Sequence, residues 1–133
     1  MHYGIIGYPF ILPGSVGGDF IEGPGVIMSA DNVPLPDKEL YIRWLQLVSF
    51  LPALRFKHLP SEYRDEKLSK MALKLSSERQ KILKSVFDNC FNDALSEGLP
   101  LVRPLWMLDP TDPACLDVVD EFSIGEQVIV API

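Results

Sequence analysis

Residues 4–18, GIIGYPFILPGSVGG, form the stretch from which the fold of this chain can be argued. The first half is a run of β-branched and aromatic residues, which is the composition of a buried strand. The chain then turns over Pro13, Gly14 and Ser15 and reaches a double glycine that permits positive φ angles and close backbone approach. We therefore predict a strand over residues 3–12. Such a strand either forms one wall of a pocket, as in many α/β enzymes, or is a core strand followed by a plain turn.

Length and charge limit what the protein can be. The chain has 133 residues, of which 47% are apolar, so it is long enough for one domain or a piece of one. Its formal net charge is −6 and its pI is about 4.8. A nucleic-acid partner is not expected, because binding a phosphate backbone needs clustered Lys and Arg.

The two cysteines predict neither a metal site nor a disulfide framework. Cys90 falls in the apolar phase of a predicted helix, where a buried thiol behaves as a small hydrophobic side chain. Cys115 lies in a Pro- and Asp-rich loop, and the sequence has no CxxC pair. We predict no metal and no cofactor.

Two helical regions follow the first strand and a long loop over residues 13–36. The first helix is predicted to begin after Asp37, a favourable N-cap residue, and to end near Phe50 because Pro52 cannot continue it. Its apolar stripe is predicted from helical spacing: Leu40, Trp44, Leu47, Val48 and Leu51.

The second helical region is predicted to begin at Ser61 as its cap and to end at Gly98, a typical C-terminal glycine. Its apolar phase weakens at residues 76–78, which predicts two helices or one bent helix. A second strand is predicted over residues 53–57 and a third over residues 99–107. Residues 109–120 are expected to form a turn-rich loop, followed by a last strand or hairpin from Phe122 onward.

The order strand, helix, strand, helix, strand predicts parallel strands with right-handed crossovers. Three parallel strands with these helices cannot cover both of their own faces, so we expect an arc of a larger α/β barrel. In such a barrel the residues just after each strand face the active site. These rim positions are residues 13–18, 57–58 and 106–109.

Four pieces of the chain, in order, resemble glycoside hydrolase family 31, the α-glucosidase-like retaining enzymes. The pieces are GYPFILPGSVGG, PDKELYIRWLQLVSFLPALRF, LPLVRPLWMLDP and DEFSIGEQVIVAPI. Within the family, GYPF, ELYIRW and FLPA are similar to the branch that contains the myogenesis-regulating glycosidase. The resemblance implies the last three β/α units of a (β/α)8 TIM barrel over residues 1–120, with a C-terminal β domain starting over residues 121–133.

Family 31 chemistry uses two aspartates, a nucleophile and an acid/base, whose carboxyl groups lie about 5–5.5 Å apart in retaining enzymes. Both belong to motifs upstream of the matched stretch, and neither motif is present here. Other acids of the rim loops are Asp19, Glu22, Asp109 and Asp112. We interpret Asp109 and Asp112 as turn residues, because Asp and Pro favour turns.

The resemblance also implies candidate substrate-binding positions. Where the family commonly carries a sugar-binding Asp after the first strand, this chain has Gly14 or Ser15. Where many members carry Arg-Asn-His after the second strand, Lys57 is aligned with the His and His58 follows it. Trp106 ends the third predicted strand, where stacking on a sugar and core packing are both open.

We therefore expect a fragment of a retaining α-glycosidase that hydrolyses an α-glucoside or α-galactoside, with rim loops but no catalytic Asp. Its partners would be the carbohydrate substrate and the missing N-terminal part of the barrel. Family members often occur in the secretory pathway or lysosome. The alternatives are a non-catalytic carbohydrate-binding or protein-interaction module derived from the barrel, and an unrelated small α/β domain.

Overall fold

The computed structural model describes residues 1–18 and 34–132. Helices and strands alternate with short turns: α1 (His2–Ile5), α2 (Lys38–Val48), a 3₁₀ turn (Pro60–Tyr63), α3 (Glu66–Glu78), a π segment (Arg79–Leu83), α4 (Lys84–Glu97), β1 (Val102–Arg103), a 3₁₀ turn (Leu105–Met107), α5 (Pro113–Asp117), β2 (Phe122–Ile124) and β3 (Val128–Val130). Within this described part, none of the helices has both the length and the apolar character needed to cross a membrane.

The strand predicted over residues 3–12 is wrong. The chain begins with α1 and continues to Ser15 without strand structure. A strand is stable only when its backbone groups pair with a neighbour, and in this described stretch the inter-strand pairing begins at Val16. Among residues 1–18 and 34–132 no strand pairs with residues 3–12, so their apolar composition alone does not produce one.

The second and third predicted strands are much shorter than expected. Residues 53–57 contribute one bridge residue, Phe56, which pairs in parallel with Val16. The third strand is limited to β1, because Pro100 and Pro104 flank it and lack the N–H groups that a ladder requires.

In the described residues, β1, β2 and β3 form one antiparallel sheet in that order. The predicted parallel sheet is therefore wrong for residues 102–130. Val102 lies opposite Ile124, and Ile124 lies opposite Val128. The predicted hairpin from Phe122 onward is confirmed. Parallel pairing is retained between Val16 and Phe56.

Helix α2 confirms the predicted boundary at Asp37, whose Oδ2 accepts hydrogen bonds from the N–H groups of Glu39 and Leu40 at 2.9 and 3.3 Å. Its buried face, however, is formed by Tyr41, Leu45 and Val48. Val48 of the predicted stripe is confirmed, and the other two buried residues lie one position after the predicted Leu40 and Trp44. Its members Leu40 and Leu47 are exposed, and Trp44 is half-buried.

The second helical region begins later than predicted. Ser61 lies in the 3₁₀ turn, and the N-cap of α3 is Asp65, which accepts from the N–H groups of Lys67 and Leu68. Arg64 separates the two with a positive φ of 51°. The predicted irregularity near residues 76–78 is present as the π segment directly after α3, and Gly98 ends α4 with φ +73° as expected.

Two groups of buried side chains form the interior. The helical core joins α2 and α3 to the first loop: Val16, Tyr41, Leu45, Val48 and Leu68. The sheet core joins the π segment and α4 to the sheet: Leu83, Val86, Phe87, Cys90, Ala94, Leu101, Val102, Phe122, Ile124 and Val130. Leu51, half-buried, packs against both cores.

Candidate functional site

The parallel bridge between Val16 and Phe56 brings two predicted rim loops together. Val16 N–H donates to the carbonyl of Arg55 at 2.8 Å, and Lys57 N–H donates to the carbonyl of Val16 at 2.9 Å. We call residues 14–17 and 55–58 the rim corner. The corner holds four of the five predicted substrate-binding residues: Gly14, Ser15, Lys57 and His58.

Gly17 permits the close approach of the two loops. Its φ is +94°, in the region that glycine adopts without strain. A Cβ atom at this position would lie 3.1 Å from Cβ and 3.2 Å from Cδ2 of His58. The glycine therefore lets the imidazole of His58 pack directly against the backbone of the first loop.

His58 is the buried residue of the corner, with only 8% of its surface exposed. Its Nδ1 lies 3.0 Å from Oε2 of Glu62, whose Oε1 also accepts from the N–H of Leu59 at 2.6 Å. Both hydrogen bonds hold the pKa of Glu62 below its usual value, and the bond from His58 has the larger effect. Because the ionised carboxylate accepts, Nδ1 carries the proton and Nε2 of a neutral ring is an acceptor. Nε2 is enclosed and has no partner among the described residues.

Tyr41, on α2, fixes the backbone of the corner. Its hydroxyl donates to the carbonyl of His58 at 2.7 Å, and its ring lies 4.8 Å from that of Tyr63, centroid to centroid. Burial raises the pKa of Tyr41 to about 12, so the phenol stays neutral and keeps its proton for this bond. The corner is thus held by side chains from α2 and from the turn at Pro60–Tyr63.

The remaining predicted positions differ in exposure. Ser15 is buried, whereas Gly14 and Lys57 are half-buried beside it. Trp106 lies in a different part of the chain, in the 3₁₀ turn Leu105–Met107 that packs against α5. The five predicted positions are therefore distributed over the corner and a separate turn.

Two acids of the last loop, Asp109 and Asp112, are occupied by local hydrogen bonds. Asp109 Oδ1 accepts from the N–H and the hydroxyl of Thr111 at 3.0 and 2.7 Å, which lowers the pKa of Asp109. Asp112 caps α5 through the N–H of Ala114. The interpretation of Asp109 as a turn residue is confirmed, whereas Asp112 is the N-cap of α5, a short helix inside the segment predicted to be a turn-rich loop. Asp19 and Glu22 lie outside the described residues.

No cluster of three His, Cys, Asp or Glu side chains suited to a metal ion occurs in residues 1–18 and 34–132. Sequence reasoning missed Glu62 and Tyr41 as parts of the corner. The spacing of four residues between His58 and Glu62 was an available signal for their pairing. Tyr41 gave no local signal, because its partner lies 17 residues away.

The chain shares its fold with segments of known glycosidases. It superposes on the glucosidase II α subunit with a TM-score of 0.75 and 26% identity, covering 98% of this chain and 13% of that one. A GH31 sulfoquinovosidase from E. rectale gives a TM-score of 0.74 at 23% identity, with 98% and 19% covered. The fold is that of a part of a family 31 glycoside hydrolase.

Curated relatives agree with this class. The chain is 33% identical to the myogenesis-regulating glycosidase of Mus musculus over 129 residues, and 31% identical to the SITS-binding protein of Tetronarce californica over 133 residues. The matches cover 97% and 100% of this chain but 18% of each relative. No protein-family model matches the chain. The chain is related to the glycoside hydrolases of family 31 and spans about a fifth of the length of these relatives.

Proposed function

We propose that the chain is the part of a retaining α-glycosidase that supplies substrate-binding loops, without either catalytic aspartate. The substrate of the whole enzyme would be an α-glucoside or an α-galactoside. The single observation that carries the proposal is the parallel bridge at Val16 and Phe56, which holds two loops of a family 31 relative side by side.

Within this proposal, residues 1–120 correspond to the last three β/α units of the barrel and residues 121–133 to the start of a C-terminal β domain. The parallel bridge has the strand direction that a barrel requires. The missing N-terminal part of the barrel would complete the site and provide both carboxylates.

Each residue of the corner has a distinct role in the proposal. Ser15 and Lys57 offer a hydroxyl and an ammonium as hydrogen-bond donors to sugar oxygens. Gly14 leaves room for the sugar where the family commonly has a carboxylate. His58 has a structural role, because its Nδ1 is bonded to Glu62 and its Nε2 is enclosed, where a sugar cannot reach it. Trp106 contributes an aromatic face from its separate turn.

Activity measurements test the proposal on the purified chain. With 4-nitrophenyl α-glucoside and α-galactoside we expect no turnover, since neither catalytic motif is present. By NMR titration we expect weak binding of methyl α-D-glucopyranoside, lost in Lys57→Met. Lys67→Met, which removes an exposed lysine of α3, is the matched control and should bind as the wild type does.

Two results would overturn the proposal. Any turnover by the purified chain would show that it has its own active site, and turnover that persists after Asp109→Asn and Asp112→Asn would place that site away from these two acids. Equal glycoside binding by wild type and Lys57→Met would remove the corner from the binding site.

A second candidate is a non-catalytic binding module derived from the barrel. One relative, which is 31% identical over 133 residues, is named for binding and not for hydrolysis, the SITS-binding protein, and this favours the module. Gly14 and Lys57, which replace the family's sugar-binding side chains, also favour it. Sequencing of the transcript upstream of Met1 separates the two: the two aspartate motifs would support the enzyme, and a stop codon or another domain would support the module.

A further inference from the structure

We infer that Arg79 is a positioning residue of the rim corner. Its guanidinium fixes the start of the segment that leads to Lys57 and His58, and so keeps these two residues in place. This inference rests on the proposed function for its effect on ligand binding. Arg79 lies in the π segment, 21 positions after His58 in the sequence, and its guanidinium hydrogen bonds go to residues 49–52, ahead of the corner.

The guanidinium binds three backbone carbonyls after α2. Nη1 donates to the carbonyls of Ser49 at 2.7 Å and Leu51 at 2.6 Å, and Nη2 donates to that of Pro52 at 2.7 Å. Carbonyls at the C-terminus of a helix have no partner within the helix. Bonds from a charged donor are the strong type of protein hydrogen bond. Arg79 therefore anchors this turn through three charged hydrogen bonds.

The anchored turn leads directly into the corner. Arg55 lies three residues after Pro52, and its carbonyl accepts a hydrogen bond from the N–H of Val16. The next residue, Phe56, forms the parallel bridge, and Lys57 follows it. The segment between Pro52 and Phe56 has no helix or strand of its own. Its ends are held by the anchor and by the Val16 bonds, and Leu54 between them packs against the helical core. Loss of the anchor should therefore loosen the bonds at Val16 without freeing the whole segment.

The surroundings of Arg79 suit this role. The π segment begins at Arg79, and the guanidinium carbon lies 5.0 Å from the ring centroid of Phe87 in the sheet core. Burial lowers the pKa of Arg79, although an arginine stays charged at every physiological pH. A lysine has a compact ammonium and lacks the planar fork that reaches several carbonyls at once.

Amide hydrogen exchange of the full chain tests the inference. In Arg79→Met we expect the N–H groups of Val16 and Lys57 to exchange about tenfold faster, as the loss of about one strong hydrogen bond would give. The N–H of Gly125, bonded to Leu101 at 2.9 Å in the sheet core, is the internal reference and should change much less. Lys74→Met, at a lysine five residues earlier on α3 that is 76% exposed, is the matched control.

Arg79→Lys provides a second variant that retains the charge and the stem. We expect it to accelerate exchange at Val16 and Lys57 by a smaller factor than Arg79→Met does. If exchange at both amides is unchanged in either folded variant, the inference is wrong. If exchange rises equally at Gly125, Arg79 stabilises the whole chain and does not position the corner.

Ligand binding separates this inference from the proposed function. If the wild type binds methyl α-D-glucopyranoside, Arg79→Lys should weaken that binding several-fold while Lys74→Met does not. If the wild type binds no α-glycoside, the proposed function fails, and the exchange rates still decide whether Arg79 positions the corner.

Discussion

His58 and Lys57 are neighbours with different surroundings. His58 is enclosed between Gly17, Glu62 and Tyr41, whereas Lys57 is half-buried at the edge of the same loop. An enclosed imidazole with one ring nitrogen bonded to a carboxylate is a fixed structural element. The residue that can meet a ligand is therefore Lys57, at the position that the family resemblance aligned with the sugar-binding His.

Glu62→Gln tests the carboxylate that orients His58. The amide keeps one acceptor oxygen and loses the charge, so we expect a loss of about 0.5–1 kcal/mol in the free energy of unfolding at pH 7. The pKa of Glu62 is lowered in the folded state, so its stabilisation is present above the unfolded value of about 4.3 and disappears as pH falls through the folded value.

Urea unfolding of both proteins between pH 7 and pH 3 measures this difference. The wild type should have the larger free energy of unfolding at pH 7, and the values of the two proteins should converge toward pH 3. A constant difference across the range would mean that the charge of Glu62 is not involved. Glu66→Gln, on an exposed carboxylate of α3, serves as the control.

At the scale of elements, the boundaries that depend on local chemistry could be predicted from the sequence. Asp37 caps α2 and Gly98 ends α4 because each acts on backbone groups within a few residues. The strand over residues 3–12 could not be judged in this way, because a strand depends on a distant partner. On the buried face of α2, Val48 was predicted, but Tyr41 was missed by one position, since Leu40 and Tyr41 are both apolar enough to occupy that face.

The hairpin packs on α4 through a contact that only glycine allows. A Cβ atom at Gly125 would lie 2.7 Å from Sγ of Cys90, and the φ of Gly125 is +53°. At Gly98 the φ is +73° and nothing lies within 4 Å of the added atom. We expect Gly98→Ala to cost about 1 kcal/mol for the strained backbone. Gly125→Ala should cost about 2–4 kcal/mol, because overpacking is added.

Urea unfolding monitored by circular dichroism gives both values. In a Cys90→Ala background the excess cost of Gly125→Ala should shrink, since the sulfur that clashes is gone. An excess that is unchanged by Cys90→Ala would place the strain elsewhere in the hairpin.

At the scale of the whole molecule, the helical core and the sheet core are joined by a continuous run of helix. Helix α3 contributes Leu68 to the first core, and α4 contributes Val86 and Phe87 to the second, with the π segment between them. β1 pairs with the hairpin of residues 122–130 in a single sheet. The expected parallel topology failed because β1 finds its partner in this hairpin, 20 residues later, and not in the earlier rim segments.

Leu51 links the two cores directly, because it packs against both. If the chain unfolds as one unit, Leu51→Ala should lower the free energy of unfolding by about 1–3 kcal/mol for a half-buried leucine, and the urea midpoints reported from both cores should fall together. The two tryptophans can report separately: Trp44 packs against the helical core, and Trp106 follows β1. Fluorescence-monitored urea unfolding of Trp106→Phe and Trp44→Phe proteins, each with and without Leu51→Ala, gives the two midpoints.

Leu73→Ala, at a leucine that is 72% exposed, should move neither midpoint. Two separate transitions in the parent proteins would mean that the cores unfold independently, and the helical run between them would then transmit no stability from one to the other.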